Sequence, residues 1–420
     1  MSIRPLPLSF AAALLFAAPL HAQKLEVSPA QILADEPATI RVTGLAPQAR
    51  ITLRASLIDG GDHHWRAEAD FIADAAGTVD ATKQAPVGGS YRSLSAMGLV
   101  WSMRPTDHGV PAYRPPRESD PQIVHFELSG GGKTLAAADL RQLAIAEGVQ
   151  EVHLSGTLHG TLYIPPGTGP HPALLIVGGS EGGTPTRRAA LLASHGYEAL
   201  ALAYFRAPGL PDMLENIPLE YFGHAISWML QRPEIDTRNV GVLGGSRGGE
   251  LAFQLGSLYP QLHAVVAFVP ANVRVFACCG PSVRGQAAWT LNGAPLASTF
   301  PMPGKVPDPS AEIAIERIHG PILMISGGDD GVWPSRVMAT AAMARLKHEH
   351  FAYAFQHLTY DHAGHHAGRA EIVPTYAEDV RHPVSGQMTH FGGTPEGNAA
   401  STTDVGPKLL DFLKQSLSAK

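Results

Sequence analysis

Ser246 lies in the run Val240-Gly241-Val242-Leu243-Gly244-Gly245-Ser246-Arg247-Gly248-Gly249-Glu250-Leu251-Ala252. A serine hydroxyl is a poor nucleophile at neutral pH and needs a base, itself held by an acid. The spacing Gly244-x-Ser246-x-Gly248 suits that chemistry. A buried strand, a sharp turn and a helix start would project the Ser246 hydroxyl above the sheet edge. Glycines on either side let strand and helix pass closely without Cβ clashes. The helix start behind the serine points backbone N–H groups at a developing oxyanion. The pattern by itself is a weak signal in a chain with 44 glycines. An apolar run before it and a helix-compatible run, 250–258, after it supply the context.

The partners follow in the chain order Ser, Asp, His that this elbow takes in α/β-hydrolases. After the apolar run 322–325 comes Ser326-Gly327-Gly328-Asp329-Asp330-Gly331-Val332-Trp333-Pro334. A carboxylate on a Gly-rich turn at a strand end can reach a histidine on the next loop, and Asp330 is preferred to Asp329. Next comes Tyr360-Asp361-His362-Ala363-Gly364-His365-His366. Three histidines compete for the base, and His365, after the small Ala-Gly pair, is the choice. The rival reading is a metal site, since His362 and His366 are four apart. That spacing ligates zinc on a helix, and Gly364 argues against one, so no metal is expected. For the oxyanion, one donor is the N–H of Arg247. The other comes from the loop after 173–177, at Ser180 or Gly179.

Positioning these groups takes a parallel sheet. Continuous apolar runs at 173–177, 199–204, 240–243, 265–269 and 322–325, with one more at 351–358, alternate with helical stretches at 187–194 and 219–230. Strands of that texture are buried on both faces. Residues 152–164 read as a hairpin turning near His159-Gly160, and 165–172 as a Pro/Gly loop. A Pro/Gly-rich insertion with Trp289 and Phe300, from Asn272 to about Glu312, is either a lid or an inert surface loop.

Upstream, the texture differs. Residues 39–42, 51–57 and 65–73 alternate apolar with polar, and Asp59-Gly60-Gly61 and Ala76-Gly77 read as turns. This predicts a small antiparallel, immunoglobulin-like sandwich over 23–129, with a structural or substrate-shaping role. A helical pattern at 135–145 makes 130–150 the connecting segment and 151–420 the catalytic α/β domain. Residues 1–22 read as a signal peptide, with Arg4 as n-region, an apolar stretch 8–20 and cleavage after Ala22, so export is expected. The formal charge is −6. Removing Arg4 (+1) leaves −7, which argues against nucleic acid as a partner. No later stretch is long and apolar enough for a membrane span. Cys278 and Cys279 are the chain's two cysteines. Being adjacent, they are expected as two buried thiols, with a vicinal disulfide as the alternative.

These residues resemble the acyl-CoA thioesterase and bile-acid-CoA:amino-acid N-acyltransferase (BAAT) family over nearly the whole mature chain. Upstream, the resemblance lies in Asp35-Glu36-Pro37, Gly44-Leu45, Leu53-Arg54-Ala55 and Gly89-Ser90-Tyr91 through Met97-Gly98-Leu99-Val100-Trp101-Ser102-Met103. Downstream, it lies in Leu202-Ala203-Tyr204-Phe205, Leu210-Pro211, Leu219-Glu220-Tyr221-Phe222, 244–250, Asp329-Asp330 with Trp333, and Ala363-Gly364-His365. The resemblance implies an α/β-hydrolase behind a sandwich domain, with Ser246 as nucleophile, Asp330 as acid, His365 as base and no cofactor. It also implies a small-molecule acyl thioester substrate. Members that conjugate acyl groups to amino acids carry cysteine as nucleophile. Serine here leans the reading to hydrolysis, with a carboxylesterase or lactone hydrolase next and acyl transfer to an amine third. The leader is a second departure, because cytosolic members use acyl-CoA.

Overall fold

The computed structural model describes residues 22–417, apart from 131–132, 281–282, 284, 301–307 and 378. The expected leader, residues 1–22, lies outside the described residues except for Ala22.

Alternation builds the N-terminal region. In Arg50–Ile58 and His64–Ile72 every second side chain is buried, and the two strands pair antiparallel from Arg50↔Ile72 to Ile58↔His64. One sheet holds Lys24–Ser28, Thr39–Thr43 and Val79–Asp80. The other orders Gln31–Leu33, Lys133–Leu143, Gln122–Gly130, Arg50–Ile58, His64–Ile72 and Gly88–Gly89, with Arg104–Pro105 beside His64–Ile72. Inward residues of both sheets, among them Ile40, Val42, Leu53, Phe71 and Phe126, share one core.

The expected helix at 135–145 is instead a strand. Lys133–Leu143 pairs antiparallel with Gln122–Gly130, so most of the expected connecting segment 130–150 belongs to the N-terminal sheet. Ala136, Ala137 and Ala138 favour a helix locally. Ala136, Ala138, Leu140 and Gln142 nevertheless face inward at a spacing of two, and cross-strand pairing overrides the local preference.

Eight strands form the C-terminal sheet: β1 (Gln150–His153), β2 (His159–Ile164), β3 (His171–Val177), β4 (Glu198–Ala203), β5 (Ile235–Gly245), β6 (Ala264–Phe268), β7 (Ile322–Gly327) and β8 (Phe355–Tyr360). Their order is β1-β2-β4-β3-β5-β6-β7-β8. β1 and β2 run antiparallel, and β4 through β8 are parallel. Helices α1 (Thr186–Ser194), α2 (Leu219–Leu230), α3 (Arg247–Leu258), α4 (Ser335–His348) and α5 (Pro395–Ser416) cover it. Side chains of α2, α3 and α4 pack on one face with Leu175, Leu200 and Val242. Those of α1 and α5 pack on the other with Leu174, Ile176 and Leu243. Two boundaries move. The β1–β2 turn spans 154–158 rather than His159-Gly160. The last strand begins at Phe355, because Phe351 closes α4, its amide donating to Leu346 O at 3.0 Å.

The two halves are locked together downstream of His365. Ile372 and Val373 are buried in the N-terminal core. Gln142 Nε2 donates to Ile372 O at 2.9 Å, and Thr375 N donates to Trp101 O at 3.0 Å. Arg187, on α1, grips Glu371 through Nε and Nη2 at 2.7 and 2.6 Å. The sandwich thus fixes the chain that leaves the histidine loop.

Candidate active site

Ser246 follows β5 and caps α3 with φ 57° and ψ −120°. A non-glycine residue in that region is strained, and strain of this kind persists where the surroundings dictate it. Here they do. Ser246 N donates to Phe268 O at 2.9 Å, and Gly249 N donates back to Ser246 O at 2.9 Å. A Cβ on Gly244 would lie 2.1 Å from Gly248 O, and one on Gly248 would lie 2.5 Å from Gly178 O. The glycines of the motif are therefore demanded by backbone crowding between β3, β5 and α3.

Ser246 Oγ is 2.8 Å from His365 Nε2. His365 Nδ1 is 2.9 Å from Asp330 Oδ2 and 3.0 Å from Oδ1. The His365 and Asp330 side chains are 7% and 2% exposed, so this contact is shielded from solvent. Asp330 is saturated. Its Oδ1 accepts from Val332 N at 2.9 Å and Trp333 N at 3.2 Å, and Oδ2 accepts from Ser335 Oγ at 2.6 Å. The imidazole sits edge-on to Trp333, with centroids 5.5 Å apart, and stacked on Phe391 at 6.2 Å. Such a chain of hydroxyl, imidazole and carboxylate can deprotonate the hydroxyl and stabilise the resulting imidazolium.

The rival groups lie elsewhere. His362 and Asp329 are exposed and face each other at 3.6 Å. His366 stacks on Phe391 at 4.2 Å, and burial holds its pKa well below the usual histidine value. Among the described residues, no group of three His, Cys, Asp or Glu side chains is placed to hold a metal ion. No described helix is long and apolar enough to cross a membrane.

At the proposed anion-binding corner, Arg247 is the first residue of α3, where an amide has no intrahelical acceptor. Gly179 N is committed to Glu181 Oε1 at 3.1 Å, whereas the Ser180 amide makes no backbone hydrogen bond among the described residues. Tyr204 OH fixes this loop by donating to Gly178 O at 2.7 Å. The Arg247 side chain turns away under the 272–312 insertion. Its Nη2 donates to Val275 O at 3.0 Å, and Nη1 lies 3.2 Å from Glu250 Oε2. Glu250 Oε1 accepts from Trp289 Nε1 at 2.6 Å and Val275 N at 3.1 Å. Burial raises the Glu250 pKa even though Arg247 opposes the shift.

That network decides the status of the insertion. Trp289 is fully buried, and Trp289–Leu291 pairs parallel with Ile217–Pro218. The inert-loop reading is therefore corrected. Val275, Phe276, Cys278, Cys279 and Phe300 form a wall of a cavity of about 1040 Å³ that also contains Ser246 and His365. The cysteines are joined as a disulfide, which corrects the expected pair of thiols.

Several site residues carried no sequence signal. Ser335, Phe391 and His382, whose Nε2 is 3.0 Å from Ser180 Oγ, stand alone in the chain. Gly392 and Gly393 were also missed. Gly393 N donates to Asp329 O at 3.1 Å, His365 N donates to Phe391 O at 2.7 Å, and Gly331 N donates to Phe391 O at 3.2 Å. The 391–393 segment thus ties the acid turn to the base turn. Both glycines have positive φ, 70° and 73°, which is the reason for glycine there.

The description "BAAT / Acyl-CoA thioester hydrolase C terminal" fits residues 217–419, and "Acyl-CoA thioester hydrolase/BAAT N-terminal region" fits residues 35–156. The chain belongs to the acyl-CoA thioester hydrolase/BAAT family. It is 33% identical over 402 residues to acyl-coenzyme A thioesterase 5 of Mus musculus, covering 91% of this chain and 94% of that one. To acyl-coenzyme A thioesterase 1 of Homo sapiens it is 32% identical over 402 residues, covering 91% and 94%. To mitochondrial acyl-coenzyme A thioesterase 2 of Rattus norvegicus it is 33% identical over 410 residues, covering 92% and 87%. The agreement spans both halves of the chain, sandwich and sheet alike.

Proposed function

We propose that this member of the family hydrolyses acyl thioesters through an acyl-enzyme on Ser246. The observation behind it is the Ser246–His365–Asp330 chain of contacts inside a large cavity. His365 Nε2 takes the hydroxyl proton as Ser246 Oγ attacks the acyl carbon. Backbone N–H groups of Arg247 and Ser180 receive the oxyanion. His365 then protonates the departing sulfur. Water enters, loses a proton to the same nitrogen, and releases the carboxylic acid. Asp330 orients His365 and stabilises its charged form.

The leader sequence favours a second reading, in which the same groups cleave a carboxylic ester or lactone outside the cytoplasm. Paired kinetics on an acyl-CoA and a plain ester of the same acyl group separate the two. Efficient cleavage of the thioester, lost in Ser246→Ala, is the expected result. Preference for the plain ester would replace the thioester reading. Full activity in Ser246→Ala would remove both. N-terminal sequencing of the exported protein should begin at Gln23; a chain retained whole in the cytoplasm would end the export reading.

A further inference from the structure

Two arginines on one wall of the cavity have nothing of their own to hold. Arg188, in the first turn of α1, and Arg369, just after the histidine loop, both line the cavity that contains Ser246, and both also line a small void behind it. Among the described residues, neither guanidinium has a hydrogen-bond or ion-pair partner. The neighbouring Arg187 shows the contrast. It holds both oxygens of Glu371 and also donates to Pro116 O at 2.6 Å. Glu371, the acid that acts electrostatically on all three, is thereby held by Arg187. Asp35, which faces the void, has Oδ2 engaged by His195 Nε2 at 2.7 Å and Oδ1 unpartnered.

The guanidinium of Arg188 lies 4.2 Å over the ring of Phe268, which holds its plane while leaving its N–H edges free. Both side chains are half-buried and line the cavity. Burial pulls the Arg188 pKa down to about 10 and lowers that of Arg369. Arg188 therefore stays charged at neutral pH. A half-buried cation with no hydrogen-bonded counter-ion gains when a ligand supplies the opposite charge. The planar fork of arginine matches a carboxylate. Ile176, Leu243 and Phe268 line the same cavity, which suits methylene groups between that carboxylate and the reacting carbonyl.

We propose that Arg188 and Arg369 form a carboxylate-recognition site for an acyl group whose far end is itself ionised, so that the substrate is the monothioester or monoester of a dicarboxylic acid. This inference rests on the proposed acyl hydrolysis at Ser246.

The test has a binding arm and a turnover arm. Titration calorimetry on Ser246→Ala uses monomethyl adipate, monomethyl suberate, methyl hexanoate and CoA, alone and combined with Arg188→Met or Arg369→Met. Monomethyl adipate or monomethyl suberate should bind at least tenfold more tightly than methyl hexanoate, and each methionine variant should remove that difference. Arg188→Lys and Arg369→Lys keep the charge without the fork and should restore part of it, which separates recognition from misfolding. In turnover, the ratio of kcat/KM for adipoyl over hexanoyl thioesters of N-acetylcysteamine should fall tenfold or more in Arg188→Met. Equal affinity for monomethyl adipate and methyl hexanoate, or a ratio that does not move, overturns the proposal while leaving acyl hydrolysis intact. Loss of CoA affinity with unchanged monomethyl adipate binding would assign the guanidiniums to phosphates of the leaving group and overturn it too. Monomethyl adipate binding without cleavage of any ester or thioester would overturn the hydrolase reading, and the acyl assignment with it.

Discussion

The two ends of the cavity handle charge in opposite ways. At the Ser246 end, Asp330 receives two backbone amides, a serine hydroxyl and the His365 ring, so the protein satisfies its own carboxylate. At the Arg188 end, two cations have no hydrogen-bond or ion-pair partner among the described residues. A third buried group explains why this matters. Glu198, in β4, has both carboxylate oxygens unpartnered and is fully buried. Burial, with Glu234 adding to it, pushes its pKa up to about 7. A carboxyl deprived of partners sheds its charge by keeping a proton; an arginine cannot do so at physiological pH. A neutralised acid reads as a structural cost, whereas a retained cation beside a cavity reads as a recognition site.

Substitutions at each place can break this comparison. The largest effect is expected from Asp330→Asn, which keeps the shape but presents an N–H where His365 needs an acceptor. Turnover should fall by about 10³–10⁴-fold, with the fold retained by circular dichroism. A drop below tenfold would mean that Asp330 only braces the loop. Glu250→Ala removes the partner of buried Arg247 and the acceptor of Trp289, and should cost about 3–5 kcal/mol in denaturant unfolding. An unchanged midpoint would show that the insertion is held by its strand pairing alone.

Glu198→Gln sharpens the contrast through pH. The folded chain keeps a proton on Glu198 that the unfolded chain releases near its ordinary value of 4.5. Its contribution is fully present below pH 4.5 and is lost as pH rises through about 7. The glutamine variant should therefore match the parent near pH 4 and be more stable at pH 8 by about 1–3 kcal/mol. A destabilised variant at pH 8 would reveal a hidden partner for the carboxylate. The smallest effect belongs to Ser335→Ala, which removes one of four contacts to Asp330. A loss of about five- to tenfold in kcat with little change in KM is expected, near 1 kcal/mol. A change confined to KM would place Ser335 in substrate binding instead.

Much of the site was legible because its residue types are forced by local geometry. The Gly244-x-Ser246-x-Gly248 spacing reflects backbone contacts of 2.1–2.5 Å that any side chain would violate. Asp330 and His365 were chosen on turn context, and their rivals Asp329 and His362 proved to be exposed. What stayed hidden has a common cause. Ser335 is an ordinary first-turn serine, and Gly392-Gly393 an ordinary Gly pair, until the chain between His365 and α5 returns to the acid turn. Lys133–Leu143 differs from its helical expectation for the same reason, since its alanines favour helix and only pairing with Gln122–Gly130 makes it a strand.

Local sequence is enough for the strongly periodic elements, the nucleophile turn and the family motifs in both halves, because burial and crowding act on neighbours a few residues apart. Tertiary structure alone decided three other matters. It anchored the insertion through Glu250 and Trp289. It joined Cys278 to Cys279 in the cavity wall. It also left Arg188 and Arg369 free by giving Glu371 to Arg187. The first and third depend on which of several chemically equivalent partners comes within about 3 Å, fixed by packing between segments tens to hundreds of residues apart; the second joins neighbours, and the fold decides that they face the cavity.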